Sequence, residues 1–119
     1  MVGLFKHPKR KIKKLIKQGN YEEAIQLGKS LESEYSDDSD FMFIVGSVYF
    51  LVDEPKKALP YFEKAFQLNQ NDIEMLRLKT NVHLALEQKD EAIHCCERIL
   101  NIDPKNHEAH DLIDQLERL

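Results

Sequence analysis

No run of about 18 apolar residues occurs anywhere in this 119-residue chain, so no membrane-spanning helix is expected. The N-terminus does not read as a secretory leader: Met1-Val2-Gly3-Leu4-Phe5 is followed at once by basic residues, with no apolar stretch behind them. Val2 stands where N-myristoylation needs glycine. These absences lead us to expect a cytoplasmic protein. Cysteine is scarce, with only Cys95 and Cys96, and the two are adjacent. Neighbours on a helix point about 100° apart, so a bridge between them would be strained. A bridge between chains would need an oxidising compartment. We expect two small buried apolar side chains instead.

The usual signatures of chemistry are missing as well. There is no Gly-rich phosphate loop, no Gly-x-Ser-x-Gly and no Cys-x-x-Cys pair. His107 and His110 could share a helix face, and His83 and His94 lie further back, but a zinc site needs three or four ligands to converge. The acidic residues are scattered, as solvation of outer faces requires. No catalytic residue, metal site or cofactor is expected, and the chain is not expected to be an enzyme. No segment alternates with period two, so no strand is expected either.

What the sequence does contain is a repeat. Shifted by 34 residues, the chain lies on itself: Ala24, Ala58 and Ala92 coincide, as do Ile25, Leu59 and Ile93. Leu15, Tyr49 and His83 share a position, and so do Ile16, Phe50 and Leu84. Asp38, Asp72 and Asn106 also align. Three units run over about 5–38, 39–72 and 73–106, and a further segment remains at about 107–118.

Each unit reads as two helices. In the second unit, Met42, Val45, Val48, Tyr49 and Val52 recur at helical spacing, and Leu59, Phe62, Ala65, Phe66 and Leu68 do so again. Asp38, Asp72 and Asn106 stand where they can cap the leading helices by accepting free backbone N–H groups. Gly19-Asn20 breaks the first unit between its helices, and Pro55 opens the second helix of the second unit. Pro60 falls inside a helix, removes one backbone hydrogen bond and is expected to bend the rod. Gly28 also falls inside a helix, where a small residue suits close helix approach.

These residues resemble the tetratricopeptide repeat. The second unit carries its pattern at Val45-Gly46, Tyr49, Ala58, Phe62 and Ala65, with Gln70 where proline is usual. The third carries Ala92, Ile99 and Asp103-Pro104, but has Thr80 and His83 in place of Gly and Tyr. The first is typical over Gly19–Ile25 and unusual in its leading helix. The resemblance implies an all-α, right-handed solenoid in one domain over 1–119: three antiparallel helical hairpins and a closing helix, seven helices in all. One hairpin cannot bury its own apolar face, whereas a stack of them buries a continuous stripe that needs a polar-backed end. His107–Leu119 fits that end, with Ala109, Leu112, Ile113 and Leu116 inside and Glu108, Asp111, Asp114 and Glu117 outside.

The same resemblance implies a protein-interaction adaptor. In this family the first helix of each hairpin lines a groove that takes a partner peptide or helix. Carried over by position, the partner-binding residues are Lys6, Lys9, Arg10, Lys13 and Lys17 from the first unit, Phe43, Ser47 and Phe50 from the second, and Arg77 and Asn81 from the third. Such a groove suits a partner with acidic residues beside large apolar anchors. Some members clamp a chaperone's C-terminal carboxylate. Of the five clamp positions only Lys9 matches here, because Lys13, Ile44, Glu74 and Leu78 occupy the other four.

Charge supplies the alternatives. From Lys6 to Lys17 there are seven basic residues and no acidic one; the rest of the chain holds ten basic and 21 acidic residues, a net of −11. With Phe5, Ile12, Leu15 and Ile16 between the charges, the first helix is basic and amphipathic, so it could bind a membrane or nucleic acid if it detached. Against that, its apolar face is needed to pack on Tyr21, Ala24, Ile25 and Leu31, and the acidic remainder repels phosphates. Self-association through the groove or the closing helix is a third reading.

Overall fold

A computed structural model describes residues 7–119. Among them seven α-helices follow one another with no strand: α1 (Pro8–Lys17), α2 (Tyr21–Leu31), α3 (Ser39–Leu51), α4 (Pro55–Leu68), α5 (Ile73–Ala85), α6 (Lys89–Ile102) and α7 (His107–Glu117). They pair as α1/α2, α3/α4 and α5/α6, and each pair packs on the next through α2 on α3, α4 on α5 and α6 on α7. The result is a solenoid with an elongated envelope of 50 × 25 × 21 Å.

The 34-residue period of the sequence is the period of the backbone. Second helices begin at Tyr21, Pro55 and Lys89, and first helices end at Lys17, Leu51 and Ala85. The leading helices α3, α5 and α7 start directly after Asp38, Asp72 and Asn106, whose side chains accept from the N–H groups of Phe41 (3.1 Å), Met75 (3.2 Å) and Ala109 (2.9 Å). Each such cap stabilises its helix by about 1 kcal/mol.

The turn inside every hairpin is also the same. Asn20, Glu54 and Gln88 donate their N–H groups to the carbonyls of Leu15, Tyr49 and His83 at 2.8–2.9 Å. Gly19, Asp53 and Glu87 donate to Ile16, Phe50 and Leu84 at 3.0–3.1 Å. This bond pair satisfies the last free carbonyls of a helix and requires a left-handed residue between them. Gly19, Asp53 and Glu87 supply it, with φ of 80°, 62° and 58°. Only the first is the glycine that the conformation favours.

The core runs along the stack as a stripe. Ile12, Phe41, Ala58, Phe62, Ala65, Val82 and Leu76 are fully buried, and each of the large ones contributes about 1.5–3 kcal/mol by leaving water. Two glycines let helices approach closely. A Cβ on Gly46 would lie 2.9 Å from the Phe62 ring, and one on Gly28 would lie 3.0 Å from a Val45 methyl. Helix α4 continues through Pro60, which is exposed. The closing helix buries Ala109 and Leu116 and half-buries Leu112 and Ile113, while Glu108, Asp111, Asp114 and Glu117 face outward. Cys95 and Cys96 are buried free thiols whose pKa values burial pushes up.

Candidate functional site

The face formed by the leading helices carries the residues expected to meet a partner, and its chemistry follows from the repeat register. Positions 34 apart form rows across the helices. One row reads Lys9, Phe43, Arg77; the next on the same face reads Lys13, Ser47, Asn81. At the helix ends stand Ile16, Phe50, Leu84 and then Lys17, Leu51, Ala85.

The rows nearest the helix N-termini are tied up in internal ion pairs. Lys9 Nζ lies 2.9 Å from Asp38 Oδ2 and 3.9 Å from Asp40 Oδ2, which joins α1 to the start of α3. Two repeats further on, Arg77 Nε lies 3.5 Å from Glu108 Oε1, joining α5 to α7 at the equivalent position. Arg77 also meets Glu74 at 3.1 Å. The hydrogen bond to Asp38 holds the Lys9 ammonium above its usual pKa, partial burial opposing and the charges of Asp38 and Asp40 adding. Partial burial pushes Asp38 up, but hydrogen bonds from Lys9 and from the Phe41 N–H outweigh it and hold the carboxyl below its ordinary value.

The middle of the face is apolar and lacks such a pair. Phe43 occupies the row position held elsewhere by Lys9 and Arg77; its ring sits 5.8 Å from that of Phe62, tilted by 53°. Phe43, Phe50, Leu78 and Ile16 are half-buried and rest on the core, each leaving part of its surface outward. Ser47 Oγ donates to the Phe43 carbonyl at 2.8 Å, so its hydroxyl is spent within α3. Asn81 is exposed and, with Arg77 and Leu112, borders the crevice between α5 and α7.

The residues expected to bind a partner are therefore not equivalent. Arg10, Lys13 and Lys17 are exposed and take part in no ion pair among the described residues. Lys9 and Arg77 are internal clips, Phe43 and Phe50 are a half-buried apolar floor, and Lys6 lies outside the described residues. Sequence reasoning missed Leu51, which is 53% exposed at the end of α3. The row of helix-terminal residues, Lys17, Leu51 and Ala85, was the signal that would have found it. The basic α1 is seated in the stack: Ile12 is 0% and Leu15 6% exposed, packed with Ala24 and Leu31. Among the described residues, no group of three His, Cys, Asp or Glu side chains is placed to hold a metal ion, and no helix is long and apolar enough to cross a membrane.

The comparisons agree with this architecture. Anaphase-promoting complex subunit 7 from Dictyostelium discoideum is 34% identical over 103 residues, which are 87% of this chain but only 16% of that protein's length. The first tetratricopeptide domain of Spaghetti (RPAP3), solved bound to the HSP90 peptide SRMEEVD, superposes with a TM-score of 0.82 at 25% identity, covering 93% of this chain and 88% of that one. The Yersinia enterocolitica type III secretion chaperone SycD, solved with a peptide of the translocator YopD, gives a TM-score of 0.84 at 12% identity over 94% of this chain and 91% of that one, a likeness of fold alone. The tetratricopeptide repeat family model matches residues 49–116, more than half of the chain. With its helices, caps and turns in step with the same 34-residue register, this chain belongs to the tetratricopeptide repeat family.

Proposed function

We propose that this chain is a protein-interaction adaptor that holds a segment of a partner protein against the face of α1, α3, α5 and α7. The observation that carries the reading is the half-buried apolar patch of Ile16, Phe43, Phe50 and Leu78, each resting on the core with part of its surface outward. Apolar surface flanked by polar groups is the usual composition of a binding groove. Arg10, Lys13 and Lys17, in no ion pair among the described residues, favour a partner with acidic residues near the α1 end. Two solved neighbours hold peptides from other proteins, the HSP90 peptide on Spaghetti and the YopD peptide on SycD. No catalytic chemistry is part of this reading, and the two free buried thiols suit a reducing compartment such as the cytoplasm.

Binding of an anionic membrane or nucleic acid by α1 is less well supported. Its apolar face is already used inside the stack, so only its charges are available, and the rest of the chain is net acidic. The test is affinity capture from native lysate with cross-linking and mass spectrometry. Cross-links from a retained protein to the leading helices support the adaptor reading. Cross-links confined to α2, α4 and α6, or retention of lipid or nucleic acid alone, would overturn it. Sedimentation over a range of concentrations separates self-association from both.

A further inference from the structure

The two edges of the leading-helix face are built differently. Where α3, α5 and α7 begin, Lys9 and Arg77 are paired internally in the Lys9–Asp38–Asp40 and Glu74–Arg77–Glu108 clusters. Where α1, α3 and α5 end, the final residue pairs are Ile16-Lys17, Phe50-Leu51 and Leu84-Ala85. Ile16, Phe50 and Leu84 are half-buried there, and Ala85 is exposed. Leu51 is 53% exposed, more than any other large apolar side chain described before the C-terminal Leu119. Lys17 and, one turn earlier, Lys13 stand at the α1 end of this edge with no ion pair among the described residues.

We propose that this apolar edge, rather than the clipped one, is the anchoring line for the partner. Its occupant is a segment of another protein that crosses the helix ends with two apolar side chains about 10 Å apart and a carboxylate side chain at the α1 end. The inference rests on the adaptor reading and specifies it. The spacing is set at about 10 Å by the diameter of α3, since Ile16 and Leu84 belong to the leading helices before and after it. In a polyproline-II segment that distance is three residues at about 3.1 Å each, which also returns both side chains to one face. In a helix it is seven residues at about 1.5 Å each. The carboxylate meets Lys13 and Lys17, the free cations nearest the edge; a basic side chain in that place would be repelled. Arg10 apart, the opposite edge offers a ligand little, because an incoming carboxylate at Lys9 or Arg77 would have to displace Asp38 or Glu108.

The test is selection of binding peptides from a random display library on the intact chain, followed by calorimetry with the synthetic consensus peptide. The expected consensus has apolar residues at i and i+3, or i and i+7, and Asp or Glu towards one end. Leu51→Asp, and separately Lys13→Glu with Lys17→Glu, each weaken that peptide on the order of tenfold, as loss of an interface anchor does. Lys9→Met and Arg77→Gln leave it unchanged. All these positions are exposed or half-exposed, and circular dichroism checks that each variant is folded. A consensus peptide insensitive to Leu51→Asp, or one lost with Lys9→Met or Arg77→Gln, overturns the apolar edge while leaving the adaptor reading in place. A library that yields no binding peptide overturns both.

Discussion

Lys9 reaches across 29 residues to place its ammonium 2.9 Å from Asp38 Oδ2, while the other oxygen of the same carboxylate caps α3. One aspartate thus starts a helix and fastens the preceding hairpin to it. Lys9→Met should cost about 0.5–1 kcal/mol at neutral pH, the range for a half-exposed pair. The folded pKa of Asp38 lies below its ordinary value of 3.8, so its contribution is present above that value and is lost as pH falls through the folded one. The folded pKa of Lys9 lies above 10.5, so its contribution is present below that value and is lost as pH rises through the folded one. Thermal melts of parent and variant should differ at neutral pH and converge in acid well below 3.8. An unchanged gap there would show that the pair is not what Lys9 contributes.

The left-handed turn residues give a second prediction. Asp53 and Glu87 hold φ of 62° and 58°, whereas the equivalent residue of the first hairpin is Gly19. Asp53→Gly and Glu87→Gly should each stabilise the chain by about 0.5–1 kcal/mol, and Gly19→Ala should destabilise it by about 1 kcal/mol. Urea unfolding midpoints measure all three.

The two helical glycines should respond unequally. Alanine at Gly46 drives a methyl to 2.9 Å from two carbons of the buried Phe62 ring, with the Tyr61 Cβ also close, and should cost about 1–3 kcal/mol. Alanine at Gly28 meets one Val45 methyl at 3.0 Å, and a gain in helix propensity of up to about 1 kcal/mol offsets that contact. Gly46→Ala should therefore be the more destabilising of the two in the same urea assay, and the reverse order would contradict the packing described.

Cys95 and Cys96 should be inert while the chain is folded. Both are buried, and burial raises their pKa values, so little thiolate is available. Alkylation by iodoacetamide should run on the order of tenfold or more slower in the native protein than in urea. Equal rates would mean that α6 opens readily.

The likeness to a domain solved with the HSP90 peptide SRMEEVD should not extend to a clamp on a terminal carboxylate. Lys9 is held by Asp38, and Ile44, Glu74 and Leu78 offer no cation there. Amidating the C-terminus of SRMEEVD should therefore change its affinity for this chain by less than about twofold. A loss of about tenfold or more on amidation would show a terminal-carboxylate site that these residues do not supply.

Much of the backbone was legible in the sequence because a period is a local signal multiplied three times. The spacing of Ala24, Ala58 and Ala92 located the second helices, and Asp38, Asp72 and Asn106 located the starts of the leading ones. The conformation at Asp53 and Glu87 was harder to read, because the turn imposes a left-handed backbone on residues that do not advertise it. Which residues line the leading-helix face was legible from the repeat register, and how they pair with one another was not. Lys9 and Arg77 were expected to face a partner, but their own neighbours Asp38, Asp40 and Glu108 compete for them, and those neighbours are set by how hairpins stack. Leu51 went unnoticed because a leucine at helical spacing reads as core until the end of the helix is known.

Contacts along the stack are between neighbours: α1 and α2 lean on each other and on α3, and α7 leans on α6. Heat or denaturant should therefore fray the rod from its tips, with amide exchange fastest in α1, α2 and α7 and slowest around Phe41 and Phe62. The segment that carries the free lysines is then also the one that can loosen while the middle hairpin stays intact, so a partner gripping both α1 and α3 would act as a splint for the weakest end of the molecule.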